Sequence, residues 1–524
     1  MANLRIAHLR RHPRSVSLLA IDPTAPVGGG GRRLQEDSQS TGTTARLPWA
    51  RLAEWALVLA PAIILALLLT RKVWDVDIFW QLKLGEMILA HRGPIAHEPF
   101  AASHIGDPLP ALAWLGQALM AEVRLLGGWD ALRVFDALCW AGGFWAVALA
   151  CRWKGAAPVA VLVALCLSLV AALATASIRP QSFSVLCFGL LLALLRLDLR
   201  TWLTVALAAP LLVLWQNLHP SVSVAAGALG VYAAAGWFTW WRQTGKRPPI
   251  AETILIPVAV LAMFATPDGG SILALSARNA QASFDIGVSE WLPMWAPDNW
   301  LDSLPILYAA SLALWLVLRN RQRVDLRELA LATALFIMTL VTIRFVLFWA
   351  VALVPLLARV VSSPQPAPMR VPRWTGTFAV ALVGLLGPML LPTRFDESLP
   401  IAAIERLRRE NVRGVIYADF PYGGPIIDAG YPQWRVAFDG RYYRYTPQEW
   451  HFNGKVEAGK LGLQAIQRKW PVAAFLLKAQ HNAPLAHELS RAPGWRRIWD
   501  RDGIVVYVPA DRPNASPAGG SAPS

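Results

Sequence analysis

Long runs of apolar residues with few or no charges decide what this chain can fold into. The runs at 52–70, 156–178 and 375–391 approach the roughly 20 residues that an α-helix needs to cross a hydrocarbon core about 30 Å thick. A soluble core has no use for runs of that length. Apolar segments read as spans at 52–70, 129–150, 157–178, 182–197, 201–218, 221–241, 251–267, 303–319, 328–343, 345–361 and 375–392, giving a polytopic α-helical membrane protein of about eleven transmembrane helices. The totals agree, with 55% hydrophobic and 16% charged residues in 524. Several of the 25 tryptophans (Trp49, Trp74, Trp215, Trp240, Trp241 and Trp349) stand at the ends of runs, where amphipathic rings favour the membrane interface. Packing between helices accounts for the others.

The formal charge of +15 does not point to nucleic acid, because the excess Lys and Arg lie in short connections between apolar runs. They act as topology signals. One set of loops carries Arg152 and Lys154, Arg196 and Arg200, Arg242, Lys246 and Arg247, Arg319, Arg321, Arg323 and Arg327, then Arg370 and Arg373; the opposite short loops carry Arg179, Arg278 and Arg344. The positive-inside rule then puts the N-terminus in the cytoplasm and the C-terminal region outside. Arg71 and Lys72 count against this order, and the arginine-rich tail before them outweighs them. The stretch 109–126 is read as a juxtamembrane helix, since a span there would invert every later loop. Residues 1–48 are rich in Arg, Gly, Ser and Thr, lack the apolar core of a signal peptide and read as a disordered cytoplasmic tail. Cys139, Cys151, Cys166 and Cys187 lie in or beside apolar segments without a CxxC pair, so neither a zinc site nor a disulfide framework is indicated.

This sidedness collects polar residues at one membrane face: the Trp74–Asp77 segment, the Arg179-Pro180-Gln181 turn, the turn from Asn217 to Pro220 that holds His219, the 268–302 loop and Arg344. Asp75 and Asp77 follow a span directly, where a carboxylate is costly unless solvated or used. Capping of a surface helix and catalysis are both open for them. Entry into the helix favours Asp75 as the more accessible of the two. Trp80, Gln81 and Leu84 follow on an amphipathic pattern. Arg344 sits between two apolar runs with almost no loop; it either snorkels or binds an anion such as a lipid phosphate. His219 and Asn217 lie in a turn too short for a solvent loop, suited to helix-end packing or to donation toward a phosphate or sugar hydroxyl. A divalent ion held by the Asp pair with Glu86, His91, His97 or Glu98 is left undecided, because no ligand spacing forces it.

A first span, an outer Asp-x-Asp followed by Trp80, the amphipathic stretch Leu82-Lys83-Leu84-Gly85-Glu86-Met87-Ile88, many short-looped spans and a soluble outer tail together resemble bacterial membrane glycosyltransferases of the GT-C fold. The group includes bacterial protein O-mannosyltransferases and aminoarabinose transferases, and the resemblance covers about residues 50–390. It implies a sugar donor on a polyprenyl phosphate, an envelope lipid, glycan or protein as acceptor on the outer side of the inner membrane, and an inverting displacement with Asp75 or Asp77 as base. Sidedness adds Arg179, His219 and Arg344 as partners of the donor phosphate, and Trp80, Gln81 and Asn217 as substrate contacts. Position 81 carries Gln where that pattern leads one to expect His, which argues against an acid, base or metal role there.

The remaining organisation reads as a membrane domain over 49–392 with a first outer loop at about 71–128, a soluble α/β domain over 393–510 and a disordered tail over 511–524. In the soluble part a helix at 400–409, strands at 414–419, 434–438 and 472–477, helices at 461–469 and 484–490, and a closing hairpin at 495–508 alternate. The Phe420-Pro421-Tyr422-Gly423-Gly424 turn and the Asp439-Gly440-Arg441-Tyr442-Tyr443 segment carry aromatic and charged groups on loops after strands, suited to sugar stacking or to ordinary turn packing. The rival functions are a transporter or lipid flippase and a non-catalytic envelope assembly protein. The first would place ionisable groups in mid-span and repeat its halves; Arg133 and Asp136 are the clearest charges within spans, and no inverted repeat is evident.

Overall fold

The computed structural model describes residues 48–173, 175–245, 247–362, 371–372 and 374–510. The tails expected at 1–48 (Pro48 aside) and 511–524 lie outside the described residues, as do Lys246, Arg370 and Arg373 of the basic loops. Thirteen helices come first: α1 (Pro48–Leu69), α2 (Asp77–His91), α3 (Trp114–Trp153), α4 (Pro158–Leu173), α5 (Gln181–Arg196), α6 (Thr201–Leu218), α7 (Val222–Arg242), α8 (Ile250–Ala262), α9 (Ser271–Ile286), α10 (Trp300–Arg319), α11 (Leu326–Val341), α12 (Val346–Val361) and α13 (Trp374–Leu390). Each apolar run of the sequence coincides with one of these helices. Six of them are long and apolar enough to cross a membrane, and α4, α5, α8 and α13 are shorter apolar helices. Within α3 the backbone breaks at Gly127 and Gly128, separating a first segment within the 109–126 stretch from the long apolar one. The 268–302 segment, expected as a loop, contains the helix α9.

The membrane character shows in how the helices treat their apolar side chains. Leu385, Met389 and Leu390 of α13 and Leu301 and Leu318 of α10 are largely exposed, a placement that costs free energy in water and none in lipid. Prolines at 61, 210, 257, 305, 355 and 388 stand inside helices, as membrane helices tolerate. Small residues let α3 and α5 touch backbone to backbone: a Cβ on Gly189 would stand 2.3 Å from the Gly143 carbonyl oxygen. Of the charges within spans, Asp136 pairs with Arg71 at 2.8 Å. Arg133 donates to the carbonyl oxygens of Leu69 and Leu391 and to Asp130. Both are used for packing near one end of the bundle.

After α13 the chain forms α14 (Ile401–Arg408), β1 (Gly414–Ala418), α15 (Gly423–Gly430), β2 (Trp434–Val436), α16 (Pro447–Glu457), α17 (Leu463–Lys469), β3 (Val472–Lys478), α18 (Ala483–Arg491), β4 (Trp495–Arg501) and β5 (Ile504–Pro509). The strand order is β2-β1-β3-β5-β4. β1 runs parallel to β2 and β3, while β5 is antiparallel to β3 and β4. The Tyr-Gly-Gly segment expected as a turn opens α15, and α16 begins with a capping box from Thr446 and Glu449.

This α/β unit is seated on the segment between α1 and α3. Beyond β2 the sheet gains a backbone neighbour from the first loop: Ala101 bridges Val436, with Ala102 N–H donating to the Val436 carbonyl at 2.8 Å and Val436 N–H to that of Phe100 at 3.0 Å. One apolar cluster mixes Trp80, Leu84, Ile88 and Phe100 with Ile404, Leu407, Ile426, Ile427, Trp434 and Val436. Arg124 fixes the contact by pairing with both Glu86 and Asp428. The fully buried Arg441 reaches Glu98 at 2.6 Å and Asp439 at 2.6 Å.

Candidate active site

Asp75 and Asp77 stand on either side of the entry into α2, and the structure divides their roles. Asp75 is buried, at 5% exposure. Its Oδ1 accepts the Asp77 backbone N–H at 2.9 Å, as a residue ahead of a helix does for an N–H with no intrahelical partner. Its Oδ2 lies 3.3 Å from Arg179 Nε. The accessibility expected of Asp75 is therefore reversed: Asp77 is the carboxylate that lines a cavity, of about 130 Å³, with Trp80, Gln81, Arg179, His219, Glu290, Arg344 and Gly440 to Tyr443 among its walls. Asp77 Oδ1 accepts a hydrogen bond from Trp80 Nε1 at 3.1 Å. Burial first, then the neighbouring charge of Asp75, pushes the Asp77 carboxyl up to about 7.

Across the cavity the two arginines are joined by a carboxylate. Glu290, in a short 3₁₀ turn Ser289–Trp291, accepts from Arg344 at 2.6 Å and pairs with Arg179. Burial opposes the charge on Glu290, but the guanidiniums of Arg179 and Arg344 outweigh it and bring the carboxyl down to about 2. Arg344 also lies over the Trp291 ring, 4.9 Å from its centroid. Arg179 Nε is buried and has no hydrogen-bond acceptor, although the Asp75 carboxylate faces it. Three carboxylates and two guanidiniums so form one chain from Asp77 to Arg344.

His219 lines the same cavity, with Nδ1 2.9 Å from Ser184 Oγ and 3.0 Å from Ser221 Oγ. Burial first, then Arg344 and Arg179, lowers it to about 3, so the ring is neutral and faces the site as a dipole. Asn217 is not brought into the cavity lining: its side-chain amide donates to the Val213 and Ala265 carbonyls and accepts from Trp114 Nε1 at 2.8 Å, which fixes the end of α6. Three of the residues weighed as metal ligands beside the Asp pair are engaged elsewhere. Glu86 holds Lys83 and Arg124, His97 contacts the Gly106 carbonyl, and Glu98 holds Arg441 and Arg444.

The α/β unit closes the cavity. A Cβ on Gly424 would stand 2.2 Å from the Val76 carbonyl oxygen, and one on Gly440 would stand 2.3 Å from Asp77 Oδ1, so both positions demand glycine for close approach. Arg441 lies 5.6 Å from the Trp80 ring centroid. Of the lining residues, which also include Asn279 and Ser283 of α9, the 439–443 segment stands out by its composition, whereas Glu290, Asn279 and Ser283 do not. A single Glu in a polar loop carries no periodic signal, and its partners Arg179 and Arg344 are 111 and 54 residues away.

No family model matches the sequence, and no curated protein matches it. Among solved structures, the chain is similar to the Archaeoglobus fulgidus oligosaccharyltransferase tethered to an acceptor peptide containing the NVT sequon. The identity is 12% and the TM-score 0.53, with 87% of this chain and 74% of that chain covered. The same enzyme in its apo form aligns at 12% identity and a TM-score of 0.47 over 87% and 74% of the two chains. At such identity the likeness is one of fold, and with its apolar helices this chain is a helical membrane protein of the GT-C fold with a sheet-containing C-terminal unit.

Proposed function

We propose that this chain is a membrane glycosyltransferase that moves a sugar from a polyprenyl-phosphate donor to an envelope acceptor on the outer side of a bacterial inner membrane. The observation that carries the reading is the opposition, in one small cavity, of a carboxyl brought to about 7 at Asp77 and the Arg179 and Arg344 guanidiniums. The GT-C fold supports it, and so does the tethered acceptor peptide of the archaeal oligosaccharyltransferase.

In the reaction so read, an acceptor hydroxyl attacks the anomeric carbon while its proton passes to ionised Asp77, and the bond from that carbon to the lipid phosphate oxygen breaks with its electron pair going to the phosphate. A single displacement inverts the anomeric centre. A base near neutral pH is the efficient choice for that proton. The departing phosphate gains charge, which Arg344 and Arg179 are placed to stabilise. Glu290 holds both guanidiniums in position, and Asp75 orients Arg179 while closing the first turn of α2.

The test is sugar transfer by purified protein from a panel of undecaprenyl-phosphate sugars to membrane lipid, glycan and peptide acceptors. Wild type should transfer at least one sugar, and Asp77→Asn should lose roughly 10²–10⁴-fold in rate with its fold intact. Transfer undiminished in Asp77→Asn, or absent in wild type across the panel, would return the weight to a transporter or an assembly protein.

A further inference from the structure

A second group of titratable side chains converges away from the cavity, and nothing in the proposed reaction uses it. Asp419 follows β1, Glu457 is the last residue of α16 and His481 lies between β3 and α18; one ligand atom from each falls within 4.8 Å of the others. His481 Nδ1 is 2.8 Å from Asp419 Oδ1, and its Nε2 is 3.7 Å from Glu457 Oε2.

The charge at this point is out of balance. Other buried carboxylates carry an arginine: Glu98 and Asp439 have Arg441, Glu410 has Arg406 and Arg496, and Asp136 has Arg71. Among the described residues, Asp419 and Glu457 have His481 as their ion-pair partner. Lys478 acts on Asp419 through its field alone. Asp419 is only 4% exposed and shares one imidazole with Glu457 where the other buried carboxylates have guanidiniums, an arrangement that suits a cation.

The group is also oriented from behind. Asn453 Nδ2 donates to Glu457 Oε1 at 2.8 Å, and the Tyr417 hydroxyl donates to Asn453 Oδ1 at 3.2 Å. This leaves Oε2 of Glu457 turned toward His481, the supporting pattern found behind metal-ligating carboxylates. Glu457 and His481 open onto a groove of about 930 Å³ that also holds Phe420, Tyr443 and Trp450, so an ion has a path in and an open position. Ligand atoms about 2.1 Å from a tetrahedral ion stand about 3.4 Å from one another; with one atom from each residue, the three here lie within 4.8 Å of one another, so a small closing movement around an ion suffices.

We propose that Asp419, Glu457 and His481 bind a divalent transition-metal ion, with a remaining coordination position facing the groove and available to an oxygen ligand. One imidazole and two carboxylates suit Zn²⁺ or Mn²⁺ better than an all-oxygen Ca²⁺ or Mg²⁺ cage. The site stands independently of the glycosyltransferase reading.

The experiment is titration of full-length, chelator-treated protein in detergent with Mn²⁺, following the free-ion paramagnetic resonance signal, with Zn²⁺ as competitor. Saturable binding of one ion is expected. Glu457→Gln and His481→Ala should each weaken it by more than tenfold, and Asn453→Ala by about tenfold through loss of orientation. Asp77→Asn should bind as wild type does. His481 is 44% exposed, so its replacement leaves the sheet core intact. No saturable binding up to millimolar ion, unchanged binding in both ligand variants, or binding lost in Asp77→Asn would each overturn the proposal, the last by placing the ion in the membrane-side cavity.

Discussion

Gly440 and Asp77 approach so closely that a Cβ on the glycine would stand 2.3 Å from Oδ1 of the carboxylate. A side chain at position 440 must turn the Asp77 carboxylate or push the 439–443 segment away. Gly440→Ala should therefore cost about 1–3 kcal/mol of stability and, if Asp77 is the base as proposed, reduce transfer by roughly 100-fold through its misplacement. Gly454→Ala, with nothing within 4 Å of its Cβ position, is the control. Thermal unfolding and transfer rates of the two proteins check this, and equal rates would refute the role given to the contact.

Trp80 offers a finer probe. Its Nε1 donates to Asp77 Oδ1 at 3.1 Å and favours the ionised carboxylate. Trp80→Phe keeps a ring and removes the donor, so the acid limb of the pH–rate profile, placed near 7 by Asp77, should move up by about one unit. Glu290, held at about 2, does not titrate in that range and cannot imitate the change.

The same carboxyl links stability to pH. Its value in the fold, about 7, lies above the ordinary 3.8, so its contribution is fully present below about 4 and is lost as pH rises through 7. Asp77→Asn should match wild type in unfolding midpoint near pH 4 and exceed it increasingly up to pH 7, with a constant gap above. Midpoints measured across that range in detergent decide the point; a gap independent of pH would contradict it.

Arg441 is fully buried between Glu98 and Asp439. Arg441→Met leaves the buried Asp439 without its cation and Glu98 with Arg444 alone, and should cost about 3–5 kcal/mol. Release of the 439–443 segment from the cavity should follow, seen as faster protease cleavage there than in wild type. An unchanged cleavage pattern would count against this.

Much of this architecture is legible in the chain because lipid imposes a simple code: apolar runs near 20 residues become helices, and the alternating segments after residue 400 become a small sheet with its helices. The site is only half legible. Asp77, Arg179 and Arg344 stand out because charges beside apolar runs are conspicuous, whereas Asp75 and Asp77 two residues apart cannot be told apart without knowing which one faces Arg179. Glu290 looks like any loop carboxylate until the fold sets it between two guanidiniums. The helix α9 was hidden in a segment whose polar residues read as a connection, and the separation of Asn217 from the cavity depends on Trp114, which no local pattern pairs with it.

Glu98 and Arg441 meet across 343 residues of chain, and that distance sets an order of events during synthesis. The residues of α2 leave the ribosome and the membrane helices are inserted long before the 439–443 segment exists. Until it arrives, the Asp77 carboxylate lacks one wall of its cavity. The half-made protein thus holds the membrane-side walls of the cavity before it holds the wall that the 439–443 segment supplies.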